Sequence, residues 1–184
     1  FLPEAIKQNI KEKDIDLVAM GTKGATGSKG VSFGSNTVMA MEKIRECPVL
    51  AIPEHVSFMS PKEIVFPTDF KDVYKRSEFK YLIELANMHN AEIAVLHLEN
   101  NKELTETQLS NKQLLSSILS ETKHQFHTLK EKNLGKGIQL FVESRESDMV
   151  SFINRKHFFF GSVFSKPLIK EIGYDSDVPI LALH

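Results

Sequence analysis

Apolar residues from Phe1 to Lys13 recur at helical spacing, with Ala5, Ile6 and Ile10 on one side, and predict an amphipathic helix that carries Pro3 in its first turn. Ile15 to Met20 is a short continuous apolar run, the pattern of a strand buried on both faces. Asn36 to Arg45 returns to helical spacing through Val38, Met41 and Ile44, and Pro48 to Pro53 is a short strand bracketed by prolines. Glu54 to Pro61 has the composition of a linker. Glu63 to Phe66 then opens a new unit as an apolar run ending at Pro67-Thr68-Asp69. Ser77 to Asn90 places Phe79, Leu82, Ile83 and Ala86 at i, i+3, i+4 and i+7, which predicts a helix, and Ala91 to Leu98 predicts the next strand. A long polar-faced helix is expected from about Thr105 to Lys132, with Leu115, Ile118, Leu119, Phe126 and Leu129 towards the core. It leads through Gly135 and Gly137 to a strand at Ile138 to Val142. The alternation predicts a parallel α/β sheet.

Two places break the pattern. The block before residue 54 supplies only two parallel strands, too few to enclose a core, so polypeptide ahead of Phe1 is expected to complete it. Asp148 to Ile153 reads as a strand, yet only a few polar residues separate it from Val142, and a parallel crossover takes a dozen or more. Either the two strands form an antiparallel hairpin or a helix is left out between about Ser144 and Asp148. The omission is the expectation, because Pro3 to Lys13 precedes Asp16-Leu17-Val18-Ala19-Met20 as such a helix would precede Asp148-Met149-Val150-Ser151-Phe152. That correspondence is an internal repeat. Cys47-Pro48-Val49-Leu50-Ala51-Ile52 answers to Val178-Pro179-Ile180-Leu181-Ala182-Leu183, and Gly34-Ser35 falls near Phe164-Ser165. The predicted organisation is a first unit over 1–54, a linker over 55–61 and a second unit over 62–184.

Candidate chemistry concentrates in Gly21 to Ser35, which joins the carboxyl end of a strand to the amino end of a helix, where a parallel sheet places its ligands. Glycines let a loop turn its backbone N–H groups towards an anion that larger side chains would keep away. The helix behind adds the positive end of its dipole, and Ser35 offers a hydroxyl at the cap, so phosphate fits. A glycine-rich loop by itself is also what a flexible connection uses. The spacing here is Gly21, two residues, Gly24, nine residues, then Gly34-Ser35. No Gly-Lys-Ser/Thr follows, as a Walker loop requires, and the compact Gly-x-Gly-x-x-Gly of dinucleotide folds is missing. Set between Asp16 to Met20 and Cys47 to Ile52, this loop closely resembles that of the universal stress protein family.

The resemblance covers essentially the whole chain and implies the tandem two-domain form found in bacteria. Its fold would be doubly wound α/β, with five parallel strands per repeat in the order 3-2-1-4-5 and the first repeat incomplete. It implies ATP or another adenine nucleotide as ligand, with or without magnesium. Gly21, Gly24, Gly34, Ser35 and the adjoining Asn36 would hold the phosphates and ribose, Met20 would border the nucleoside, and Lys23 or Lys29 would add positive charge. Asp69 answers to an aspartate at the nucleoside end of the family's site, so each repeat would keep one half of a site; Asp69 reads equally as a strand-end residue that caps its turn. The second repeat departs from the family at Asn154 to Pro167, which is bulky and nearly glycine-free, and no nucleotide is expected there. Arg155, Lys156 and His157 read as a solvated basic turn, and Phe158, Phe159 and Phe160 as packing against a partner domain or dimer. In the family the last strands pair between domains or subunits. Pro48 to Ile52 and Pro179 to Leu183 are therefore expected at sheet edges, in a homodimer or an intrachain pseudo-dimer.

A net charge of −1 over 184 residues gives no long-range field of the kind that draws in nucleic acid or an anionic membrane. No run approaches the length of a bilayer span, and the amino end has no basic-then-apolar signal pattern. With Cys47 as the single cysteine, no intrachain disulfide forms, which suits a reducing cytoplasm, and Cys47 reads as a small buried residue. No Ser-His-Asp arrangement, HExxH pair or cysteine-histidine zinc spacing is present. His97 reads as an accommodated core residue, and Asp14 and Asp16 as helix-end and strand-start acids. The expected function is an adenine-nucleotide-binding regulatory protein of the stress response. A slow ATP hydrolase and a dimerisation scaffold that binds no nucleotide are the alternatives.

Overall fold

The computed structural model describes residues 2–22, 34–99, 103–154 and 177–184. The first block contributes α1 (Leu2–Lys13), β1 (Val18–Gly21), α2 (Ser35–Lys43) and β2 (Val49–Ile52). The second contributes β3 (Glu63–Pro67), α3 (Lys80–His89), β4 (Glu92–Glu99), α4 (Glu106–Ile118), β5 (His124–Lys130), α5 (Leu134–Arg145), β6 (Met149–Ile153) and β7 (Ile180–Leu183). No helix among the described residues is long and apolar enough to cross a membrane.

The seven strands of the described residues form one sheet in the order β1-β2-β7-β6-β3-β4-β5. Neighbours run parallel except β2 and β7, which pair antiparallel with Val49 opposite Ala182, Leu50 opposite Leu181 and Ala51 opposite Ile180. The proline-led strands are thus interior, not at edges as expected, because each covers the other's edge. Burial follows position: β6 and β7 are buried throughout, as continuous apolar runs demand, whereas the edge strands β1 and β5 alternate. The expectation that the first strand is buried on both faces fails for this reason. Val18 and Met20 pack towards α1 and α2, while Leu17 is 45% exposed and Ala19 is exposed on the other face.

Helices α1, α2 and α5 bury Ile10, Met41, Ile44, Ile138 and Phe141 against Val49, Ala51, Phe152 and Ala182. Helices α3 and α4 bury Leu82, Ala86, Leu115 and Leu119 against Ile64, Phe66, Ile93 and Leu183 on the opposite face. Arg45, just past α2, reaches the ends of β6 and β7: its guanidinium donates to the Asn154 carbonyl and lies 3.2 Å from His184 Nδ1. Burial, helped by the Arg45 charge, holds the His184 imidazole down to about 4, so at neutral pH the ring is uncharged and Nδ1 accepts from Arg45. Cys47 is buried, and burial pushes its thiol above the ordinary range, as suits a packing residue.

Residues 105–145 differ from the sequence expectation. The single helix expected from Thr105 to Lys132 is α4, a turn and β5, and the strand expected at Ile138 to Val142 lies inside α5. Phe126 and Leu129 are three apart, which suits one side of a helix, but on β5 they go to opposite faces: Phe126 packs with the α3 and α4 core and Leu129 with the α1, α2 and α5 core. Thr122 closes the intervening turn, its N–H and its hydroxyl both donating to the Leu119 carbonyl at 2.9 Å. Asn133 caps α5 by accepting from the Lys136 N–H at 2.9 Å. Gly137 is a packing glycine within that helix, since a Cβ there would lie 2.8 Å from Leu98 Cδ1 on β4. Helix α5 is therefore the crossover from β5 to β6, and the expected omission near Ser144 to Asp148 is withdrawn. The Ser147 N–H donates to the Val142 carbonyl and the Asp148 N–H to the Glu63 carbonyl, each at 3.0 Å, which carries the chain directly from α5 into β6.

Candidate functional site

Thr22 follows β1 at its carboxyl end and Gly34 precedes α2, and the two are fastened to each other and to the sheet. The Gly34 N–H donates to the Thr22 carbonyl at 2.6 Å, the Thr22 N–H donates to the Ile52 carbonyl at 3.0 Å, and the Thr37 hydroxyl donates to the Gly21 carbonyl at 2.7 Å. Thr22 and Thr37 are 4% and 3% exposed, so these bonds are shielded from water. Sequence reasoning missed both threonines. Their signal was position, one directly after Gly21 and the other in the first turn of the helix behind the loop.

Gly34 is the N-cap of α2, with extended backbone (φ −64°, ψ 151°) and no side-chain cap bond, and Ser35 is the first helical residue, one place beyond the cap position expected for it. Intrahelical bonding begins at Thr37 and Val38, whose N–H groups both donate to the Gly34 carbonyl at 3.1 Å. The Ser35 and Asn36 amides come ahead of these bonds and point out of the end of the helix. Both residues are exposed, and no acid occupies the first turn of α2. No carboxylate of that first turn offsets the positive end of the helix dipole, and an anion with several acceptor oxygens fits it. The structure brings together Gly21, Gly34, Ser35 and Asn36, with Met20 half-buried on β1 beside them. Lys23, Gly24 and Lys29 lie outside the described residues.

Asp69 is elsewhere. It sits at the carboxyl end of β3, separated from β1 by β2, β7 and β6, which is about 19 Å at the usual strand spacing. Because β2 and β7 are antiparallel, the carboxyl ends of β1 and β3 also point in opposite directions along the strands. Asp69 Oδ1 accepts from the Lys71 N–H at 3.0 Å and Oδ2 pairs with Lys71 Nζ at 2.9 Å, so the carboxylate caps its own turn. Phe70 beside it has φ 57°, an unfavourable conformation for an aromatic residue. The turn is held by side chains from α4: Gln108 Nε2 donates to the Asp69 carbonyl at 2.7 Å and Asn111 Nδ2 to the Phe70 carbonyl at 2.8 Å. His97 is buried, with Nδ1 3.1 Å from the Thr68 carbonyl. Asn111→Ala leaves the buried Phe70 carbonyl without its donor and is expected to lower stability by about 1–3 kcal/mol, measured by urea unfolding. A change below about 0.5 kcal/mol would mean that Asn111 does not hold the turn. The basic and phenylalanine-rich stretch after Asn154 lies outside the described residues.

No family model and no curated protein matches the chain. Among solved structures, a universal stress protein from Archaeoglobus fulgidus DSM 4304 superposes with a TM-score of 0.68 at 14% identity, over 98% of this chain and 64% of that one. A functionally unknown protein from Pseudomonas aeruginosa PAO1 superposes with a TM-score of 0.67 at 12% identity, over 100% of this chain and 67% of that one. A universal stress protein in complex with cAMP gives 0.52 at 11% identity, over 68% of this chain and 98% of that one. The chain spans about 64% of the length of the Archaeoglobus protein. At these identities the likeness is carried by backbone architecture, a mostly parallel sheet with helices on both faces, and not by side chains. By that architecture, the chain has the fold of the universal stress proteins.

Proposed function

We propose that the chain binds an adenine nucleotide, ATP or a related one, and acts as a nucleotide-dependent regulatory protein of the stress response. The observation that carries this reading is the set of bonds that fastens Thr22, Gly34 and Thr37 together beside the Ser35 and Asn36 amides of an acid-free helix end. A phosphate seated there accepts from those two amides and from the Ser35 hydroxyl, with Gly21, Gly24 and Lys23 around it. The glycine spacing and the shared fold, in which another protein holds cAMP, support adenosine as the attached group.

Ser35→Ala removes one donor to a charged phosphate, worth about 1.5–3 kcal/mol. ATP affinity is expected to fall by about one to two powers of ten. Equilibrium dialysis with labelled ATP checks this, and an unchanged dissociation constant would remove Ser35 from the site. Phosphate release over many turnovers would favour the slow hydrolase, and absence of any nucleotide binding the scaffold.

The tandem organisation belongs to the same proposal: 1–54 is the closing part of one universal-stress unit and 62–184 a second. An order of 3-2-1-4-5 for the second unit, numbered from β3, is supported by the run β5-β4-β3-β6-β7 within the sheet. The two blocks also repeat their bonds. The Val18 N–H donates to the Pro48 carbonyl and the Val150 N–H to the Pro179 carbonyl, each at 3.0 Å. The Thr22 N–H donates to the Ile52 carbonyl at 3.0 Å and the Asn154 N–H to the Leu183 carbonyl at 2.8 Å. Meeting through the antiparallel β2 and β7, the blocks form a pseudo-dimer about that seam.

A further inference from the structure

The carboxyl end of α2 is tied to the second block by a small polar joint. Arg45 donates from one guanidinium nitrogen to the Asn154 carbonyl at the end of β6, and the same nitrogen lies 3.2 Å from His184 Nδ1 at the end of β7. Its other terminal nitrogen donates to the Glu42 carbonyl at 3.1 Å, which caps the last turn of its own helix. Asn154 answers in return, its side-chain amide donating to the Met41 carbonyl. These contacts join positions 41 to 45 to positions 154 and 184, which are far apart in the sequence.

One member of the joint can change charge. A guanidinium has only donors and keeps its proton at any ordinary pH, so the contact with His184 exists only while Nδ1 is bare. A protonated ring would set an N–H against an N–H and one cation against another. The surroundings offer it little relief. Glu46, beside Arg45, is the acid that acts on the ring, but it pairs with Lys7 of α1 at 3.6 Å. Glu42 faces Arg45, Asn154 of β6 is uncharged, and β7 itself supplies only Ile180 to Leu183. Among the described residues no carboxylate pairs with the ring, and Nε2 is buried with no hydrogen-bond partner.

We propose that Arg45, Asn154 and His184 form an acid latch: a proton on His184 breaks its contact with Arg45 and frees the carboxyl end of α2 from β6 and β7. The latch rests on these contacts and not on the nucleotide. Its sign follows from the ring, which burial and then the Arg45 charge hold down to about 4 against an ordinary 6.5. As pH falls the unfolded chain takes up the proton first, so the stability the latch contributes is whole above about pH 6.5 and lost towards pH 4. His127, which burial and the Arg145 charge also keep below its ordinary value, adds a change of the same sign. The test is therefore a difference between the whole chain and His184→Gln, which keeps an acceptor for Arg45 and takes no proton.

Urea unfolding at pH 7.5 and pH 5 is expected to show the folding constant of the parent falling at least about tenfold more than that of His184→Gln. Hydrogen exchange, corrected for its intrinsic pH dependence, reads the latch itself. The Ile44 N–H, bonded to the Ala40 carbonyl at 3.0 Å in the last turn of α2, should lose at least about tenfold in protection at pH 4 in the parent and not in His184→Gln, with β4 amides unchanged in both. In Arg45→Gln the His184 ring, followed by NMR, should titrate at higher pH than in the parent. Equal pH dependence of folding in parent and His184→Gln, a His184 ring that titrates in the folded parent at its ordinary value, or one indifferent to Arg45→Gln overturns the proposal. Loss of protection at Ile44 and β4 together overturns it in favour of general acid unfolding.

Discussion

Ala182→Asp is expected to lower stability by more than about 4 kcal/mol, enough to leave a large unfolded fraction in a domain of ordinary stability. Ala182 is 0% exposed on β7, opposite Val49 of β2, and packs in the core formed by α1, α2 and α5. A carboxylate there has neither water nor a partner, and its desolvation is not offset by any bond. Protonation reduces the electrostatic cost but leaves a polar group and added volume in a site that fits a methyl. Ala19→Asp is the matched comparison. It makes the same chemical change on the same sheet, but at the exposed edge strand β1, and should stay within about 0.5 kcal/mol of the parent. Guanidinium unfolding of both variants measures the difference. If Ala182→Asp proved as mild as Ala19→Asp, the antiparallel joint between β2 and β7 would not be a core of the folded chain.

Sequence reasoning reached the parallel α/β class, the helices α1 to α3 and the strands β3, β4 and β6, because in those stretches burial sets the pattern directly. Val65, Ile93 and Phe152 are apolar where the sheet is covered on both faces. It failed where tertiary context assigns faces. Phe126 and Leu129 carry no mark in the sequence that sends them to opposite cores, and Gly137 looks like a turn residue until Leu98 is seen against it. The reading of an omitted helix followed from that single error. Proline rarely sits in a sheet interior, which points the proline-led strands to edges, yet Pro48 and Pro179 lie just before their strands and leave the ladder intact. At the candidate site, the glycine spacing was visible, whereas the fastening by Thr22 and Thr37 depends on hydroxyl and carbonyl positions that only the fold supplies.

The largest effect on binding is expected from Gly34→Asp, which acts on ligand and fold with opposite signs. Gly34 already has the extended backbone of an N-cap, and aspartate is preferred over glycine there. Its charge also suits the helix dipole by about 0.3–1 kcal/mol, so the variant should fold at least as well as the parent. For a nucleotide the same carboxylate is an obstacle. It competes for the Ser35 and Asn36 amides and places a negative charge against the phosphates, at a cost of about 4 kcal/mol for one charge pair at contact in a partly screened site. A loss of affinity of at least about 100-fold follows.

Calorimetric titration of ATP into the parent chain and into Gly34→Asp, each with its melting temperature recorded, tests the nucleotide site most directly. The expected result is saturable binding by the parent, binding weakened at least about 100-fold in the variant, and a melting temperature that is unchanged or raised. ATP binding of equal strength in both proteins would contradict the assignment of the phosphates to the amino end of α2.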